Sequence, residues 1–235
     1  RSTLFPYTTL FRSKASVGVE LRDVGFSYPF AHVPVFDRLN VSVGSGEILC
    51  VYGGNGTGKT TLAKMLCGLL QPDGGKIFVD GINLQQIAPK WWSNKTIYLP
   101  QEPDFINDTF RNNFLTYNPD LDANDIHQLL EQLDLLALVD ENPEGLDQKI
   151  RNNGKRLSLG VRRRLALARA LCHDGVLAIL DEPTEGMDPK GASTVYNVMN
   201  GLVKKKCTMI VFSHDRNIVR GAHHFLNLGE NKKLS

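Results

Sequence analysis

Gly53-Gly54-Asn55-Gly56-Thr57-Gly58-Lys59-Thr60 fits the pattern G-x-x-x-x-G-K-[ST]. Small residues let consecutive backbone N–H groups curl around a phosphate chain, and a following helix aims its positive end at the same point. In such a loop Lys59 reaches the β and γ phosphates as a point charge, and the Thr60 hydroxyl sits on Mg²⁺. The flanks agree with this reading. Glu47-Ile48-Leu49-Cys50-Val51-Tyr52 reads as a buried strand entering the loop. Thr61 to Cys67 reads as the helix leaving it, with Gly68 near its end.

A chain of 235 residues is long enough for one large domain, or for one domain carrying a subdomain. Its apolar share of 42% and charged share of 22% are those of an ordinary globular protein. No apolar run approaches the roughly 18 to 20 residues that a spanning helix needs, so this sequence is expected to be soluble by itself. Cys50, Cys67, Cys172 and Cys207 lack C-x-x-C or metal-ligand spacing and are expected to be buried free thiols in a reducing compartment. Thr3 to Ser13 resembles the in-frame translation of a short-read sequencing adapter, and no Met precedes it. Residues 1–13 are therefore expected to be an artefact, with native sequence upstream of Lys14 cut away. Arg1 and Arg12 account for the formal net charge of +2. The neutral remainder gives no electrostatic case for nucleic acid as a partner.

Along the chain, Val17 to Val24 and Leu39 to Val43 alternate apolar and polar residues like half-exposed strands. They form an antiparallel β entry ahead of the strand that feeds the phosphate loop. Gln71-Pro72-Asp73-Gly74-Gly75 signals a turn, and Lys76 to Val79 and Thr96 to Leu99 are further strands. From about residue 102 to 172 the pattern becomes helical, over Thr109 to Leu115, Ala123 to Leu133 and Leu157 to Cys172. This interval is expected to be a helical subdomain inserted in residues 14–235. Leu177 to Leu180, Thr208 to Phe212 and Phe225 to Leu228 read as buried strands. Asp188-Pro189 reads as an N-cap with proline at the first helical position, opening a helix to about Val203. The whole predicts an α/β fold with a mainly parallel sheet around the phosphate loop.

Leu177-Ala178-Ile179-Leu180-Asp181-Glu182 places one carboxylate at the end of a buried strand, where it can hold a Mg²⁺ shell. A second follows, able to polarise an attacking water. With Asp181-Glu182-Pro183-Thr184 added to the loop, the chain resembles the nucleotide-binding domain of ATP-binding cassette (ABC) transporters from about Val17 to Leu228. The resemblance implies a P-loop NTPase core, with Tyr28 stacking on adenine. Gly53, Gly54, Asn55, Gly56, Thr57, Gly58, Lys59, Thr60 and Thr61 cradle the phosphates. Thr60, Gln101 and Asp181 hold Mg²⁺, and Lys59, Gln101, Glu182 and His214 serve hydrolysis. Leu157 to Val161 falls where the signature L-S-G-G-Q belongs, with Ser158 and Gly160 facing ATP held by a second cassette. Glu185 to Asp188 falls at the D-loop. Pro100 to Asn113, and Gly145 to Asp147, look like the exporter class, in which a membrane domain is usually fused upstream. The implied role is an ATPase powering transport at the cytoplasmic face of a bacterial inner membrane. The alternative is a regulatory module that dimerises on ATP and hydrolyses weakly. A DNA-repair clamp on the same cassette would need a long heptad insert or a tandem cassette, and neither is present.

The signature departs from the pattern: Leu159 and Val161 replace a glycine and the glutamine. Leu159 would crowd the nucleotide if it pointed there, and Val161 removes a polar contact, so the expectation is a weakened site. Arg162-Arg163-Arg164 is expected on the solvated face of the signature helix. Trp91-Trp92 is expected to pack. Asp104-Phe105-Ile106 reads equally as a dock for a membrane-domain helix or as a satellite core.

Overall fold

The apolar run Ile48–Tyr52 has no alternation, as befits a strand covered on both faces, and it forms β3. The computed structural model describes residues 15–229, so the reading of residues 1–13 lies outside the described residues. β3 pairs in parallel with β8 (Thr208–Phe212) and β9 (His224–Asn227). Beyond β8 lie β7 (Leu177–Asp181) and β6 (Thr96–Leu99), giving the all-parallel order β6-β7-β8-β3-β9. A second sheet is antiparallel, in the order β2-β1-β4-β5. Its strands are β1 (Val19–Phe26), β2 (Phe36–Val43), β4 (Gly74–Val79) and the short β5 (Ile82–Asn83).

Period-two side-chain alternation divides the parallel strands between two cores. Leu177, Ile179, Ile210, Phe212, Leu49 and Val51 face the antiparallel sheet and helix α1 (Lys59–Leu66). Ala178, Leu180, Met209, Val211, Ile97 and Leu99 face the helices of the other side. These include α3 (Phe110–Leu115), α4 (Ala123–Gln132), α5 (Ala137–Asp140), α6 (Leu159–Ala170) and α7 (Pro189–Lys204). The interval 102–172 holds the first four of these, and α6 lies directly on β6. Its apolar side chains therefore share one continuous core with the sheet. Helix α2 (Pro89–Lys95) buries Trp92, whose indole N–H donates to Leu66 O at 2.9 Å, so that tryptophan packs as expected. A last helix, α8 (Arg216–Gly221), follows β8.

One expectation is corrected and one open alternative is decided. Arg163 is 1% exposed and Arg164 is half-buried, so the arginine triplet does not line a solvated face. Their guanidinium groups are taken up by backbone carbonyls: Gln101 and Glu185 for Arg163, Leu133 and Asp134 for Arg164. Of the two readings of Asp104-Phe105-Ile106, Phe105 takes the core one: it is buried beneath the Arg169 guanidinium, 4.7 Å from its ring centroid, while Asp104 and Ile106 on either side are exposed. Cys50, Cys172 and Cys207 are buried and Cys67 is partly so, and all four are free. Burial pushes the Cys50 thiol up to about 11, with Glu182 adding to the push.

Gly75 marks where β4 bends onto β1. Its φ is 71°, and a Cβ there would stand 2.3 Å from Arg22 O and 2.2 Å from Asp23 O. Gly75→Ala is expected to cost about 2 kcal/mol or more, from left-handed strain plus two backbone clashes, measured as a lower urea midpoint at unchanged slope.

Candidate functional site

The turn from β3 into α1 carries the loop Gly53 to Thr60 at the carboxyl end of the parallel sheet. Gly58 caps α1 with φ 104° and no side-chain bond, leaving the first-turn amides open to the cleft. Only glycine fits there, because a Cβ would meet Val35 Cγ1 at 2.6 Å and Phe36 Cζ at 2.7 Å. The antiparallel sheet thus presses directly on the loop. Lys59 Nζ curls back into it, donating to Gly53 O at 2.7 Å and Gly54 O at 3.2 Å.

The end of β7 brings the acidic pair to the same place. Thr60 Oγ1 donates to Asp181 Oδ2 at 2.9 Å. Asp181 is fully buried, and its Oδ1 has no hydrogen-bond partner among the described residues. Burial pushes the Asp181 carboxyl above its ordinary value, while Thr60, Lys59 and Arg163 pull it back and Glu185 adds to the rise. An orphaned carboxylate oxygen beside a hydroxyl is a donor set that suits a hard divalent cation. Among the described residues no group of three His, Cys, Asp or Glu could hold a metal unaided. Mg²⁺ binds through few protein oxygens together with phosphate and water. Glu182 follows with φ 48°, its amide tied to Phe212 O at 2.8 Å. Burial raises its pKa, and Glu185 and Asp181 add to the rise against the opposing charges of His214 and Lys59.

A cleft of about 770 Å³ opens above these groups. Of the residues singled out from sequence, Tyr28, Asn55, Gly56, Thr57, Gly58, Lys59, Thr60, Thr61, Gln101, Glu182 and His214 line it. Gly53 and Gly54 stand at its base as acceptors for Lys59. Tyr28 is 43% exposed, with its hydroxyl 3.0 Å from Thr61 Oγ1 and its ring edge-on to Phe26. His214 Nε2 lies 3.1 Å from Gly53 O, a bond only a protonated Nε2 can make.

Val35, Thr184, Glu185, Ser213 and Asp215 line the cleft too and were not singled out as site residues. Thr184 and Glu185 follow the acidic pair after Pro183, and Ser213 and Asp215 flank His214, so nearness in sequence was the signal available for them. Val35 carries none. Asp215 ties three elements together: Thr184 Oγ1 donates to it at 2.7 Å and the Tyr196 hydroxyl donates to the same oxygen.

Ser158 and Gly160 do not line the cleft. Ser158 is the N-cap of α6, its hydroxyl accepting from the Val161 amide at 3.3 Å. Leu159 turns toward Gly186, where a Cβ would meet its Cδ2 at 3.1 Å, and Gly160 faces Met187. The signature thus packs on the Glu185-to-Asp188 loop of its own chain.

Residues 36–185 match the family model described as ABC transporter. This chain belongs to the ABC transporter family. It is 32% identical over 220 residues to the ATP-dependent lipid A-core flippase of Burkholderia orbicola, covering 94% of this chain and 37% of that protein. ABC transporter B family member 21 of Arabidopsis thaliana is 29% identical over 205 residues, covering 87% of this chain and 16% of that one. Among solved structures, that of a bacterial Atm1-family ABC exporter with ATP bound superposes with a TM-score of 0.85, over 94% of this chain and 38% of that one. At 21% identity the superposition shows the fold, a P-loop α/β core with its antiparallel sheet. The chain spans well under half the length of these relatives. Among the described residues, no helix is long and apolar enough to cross a membrane.

Burial pushes Asp215 up, but hydrogen bonds from Tyr196, Thr184 and the Asn217 and Ile218 amides outweigh it, leaving the carboxyl below its ordinary 3.8. A depressed carboxylate adds stability above 3.8 that is lost as pH falls through the folded value. Tyr196→Phe is therefore expected to lower stability by about 1–2 kcal/mol at neutral pH. The deficit should shrink as Asp215 protonates below 3.8, as read from urea midpoints at each pH.

Proposed function

We propose that this chain is the ATP-hydrolysing module of an exporter, driving substrate across a membrane together with a membrane-spanning domain and a second cassette. The observation that carries it is one cleft uniting Lys59, Thr60, Gln101, Glu182 and His214, with Asp181 bonded to Thr60 beneath it. The named activities of the flippase and exporter relatives support the same reading.

ATP would lay its phosphates along the amides of Gly54 to Thr60, with Lys59 swinging from the Gly53 and Gly54 carbonyls to the β and γ phosphates. Tyr28 would cover the base. Thr60, Asp181 and Gln101 would hold Mg²⁺, which when bound supplies charge neutralisation for the phosphates. Glu182 stands where it can take a proton from attacking water, and its raised pKa gives it more basicity than an ordinary carboxylate. His214 would move its Nε2–H from Gly53 O to the γ phosphate during in-line attack. Ser158 and Gly160, at the open start of α6, would face ATP bound by the second cassette. Ile106 and the polar hollow beside Arg151 and Arg156 are the surfaces offered to the membrane domain.

With the partner cassette present, Glu182→Gln is expected to lower turnover by about a hundredfold or more while ATP still binds. Wild type and variant turning over equally slowly, with ATP still driving dimerisation, would instead favour the regulatory module.

Restoring Leu159→Gly and Val161→Gln together is expected to raise turnover by no more than about tenfold, the worth of a neutral hydrogen bond. Unchanged turnover in a steady-state phosphate-release assay would show that the two departures cost the site nothing.

A further inference from the structure

Arg163 is buried away from the cleft, yet its guanidinium touches two of the segments that shape it. Nε and Nη2 donate to Gln101 O at 3.2 and 3.0 Å. Nη1 donates to Glu185 O, and Nη2 also reaches the Glu185 carboxylate at 2.8 Å. The arginine side chain is 2% exposed, while Glu185 is 54% exposed. The guanidinium thus spends its donors on the main-chain carbonyls of Gln101, 62 residues away, and of Glu185, 22 residues away and three past Glu182. Only a planar fork of fixed geometry can bridge both at once.

The sheet alone does not fix these two segments. Gln101 lies just past the end of β6, where strand pairing has stopped, and it lines the cleft. Glu185 follows the turn after Glu182, held there by a long amide bond of 3.3 Å to Glu182 O. A neighbouring arginine on the same helix, Arg169, holds Asp104 O at 2.9 Å, so the loop after β6 is tied to α6 at two carbonyls. Leu159 of the same helix packs on Gly186, one residue beyond Glu185. Of these α6 side chains Arg163 is the one that bonds to both segments, so it couples a shift of α6 to Gln101 and Glu185 together.

From this geometry we infer that Arg163 is a positioning residue for hydrolysis, clamping the Gln101 and Glu185 segments to the signature helix so that all three move as one body. This rests on the ATPase reading of the cleft. The clamp is distinct from a packing role. A buried guanidinium carries a desolvation cost that a methionine of similar volume would not, and Glu185 can return its carboxylate to solvent. Removing the arginine should therefore free the two segments, with any loss of stability confined to the unpaired Gln101 and Glu185 carbonyls, which their exposed loops can turn to solvent.

The test is Arg163→Met in the full chain, with the partner cassette present. Hydrogen exchange should quicken in peptides spanning 101–108 and 184–188 and stay unchanged elsewhere, with the melting temperature within about 3 °C of wild type. Turnover should fall by about tenfold or more, as expected of misplaced catalytic groups, while ATP affinity stays within about threefold. Arg163→Gln, which keeps one donor arm, should show the same pattern on a smaller scale and serves if the methionine variant does not fold. Unchanged exchange in both segments would overturn the clamp. So would loosening throughout the chain with a matching fall in melting temperature, the mark of a merely structural residue. Absence of hydrolysis by wild type would overturn the ATPase reading instead, with exchange still deciding the clamp.

Discussion

Asp181 ends a strand whose every residue is buried, and its Oδ2 accepts from a hydroxyl 121 residues earlier in the chain. That single bond fixes the distance between the two halves of the site. Thr60 can reach it only if α1 starts where the phosphate loop ends and if β7 lies two strands from β3 with β8 between them. The register Leu49↔Ile210 and Ile179↔Ile210 sets both strands to the same level, so their carboxyl ends open on the same edge. Parallel pairing is what gathers loop, carboxylates and His214 on one side of the molecule. A one-residue slip of β7 would exchange the two cores and turn Asp181 away from Thr60.

Much of this was legible beforehand because it is local. The phosphate loop, the apolar strands and the Asp188-Pro189 helix start each depend on residues within a few positions of one another. The β4 partnership with β1 was not legible in that way. Lys76 to Val79 read as a strand, but nothing in its own sequence says that Ile77 pairs with Leu21. The turn residues were visible, while the two carbonyls that forbid a side chain on Gly75 come from a strand about fifty positions earlier.

The arginines show the same limit more sharply. Three consecutive cations on a helix look like a hydrated face, since guanidinium burial is costly unless its hydrogen bonds are met. Arg163 is buried because its acceptors arrive from remote loops, and no helical period reveals that. Phe105 was ambiguous for a related reason. Its partner Arg169 and the turn at Gly154, where a Cβ would stand 2.6 Å from its ring, lie some fifty to sixty residues away. Tyr28, Gln101 and His214 were found through their order along the chain relative to the phosphate loop, a signal of kinship rather than of contact.

The Gly53 carbonyl accepts from both Lys59 and His214. On the proposed reading, a phosphate that took the ammonium group of Lys59 would cost that bond and the one to Gly54, so binding would be an exchange of partners. The affinity gained is the difference between the two sets, smaller than a count of new contacts would suggest. The same exchange would reach His214, whose Nε2–H must also leave Gly53 O before it can donate to a phosphate. A carbonyl oxygen has two lone pairs, so the two donors share it without excluding each other, and one oxygen atom links the loop to the far side of the cleft.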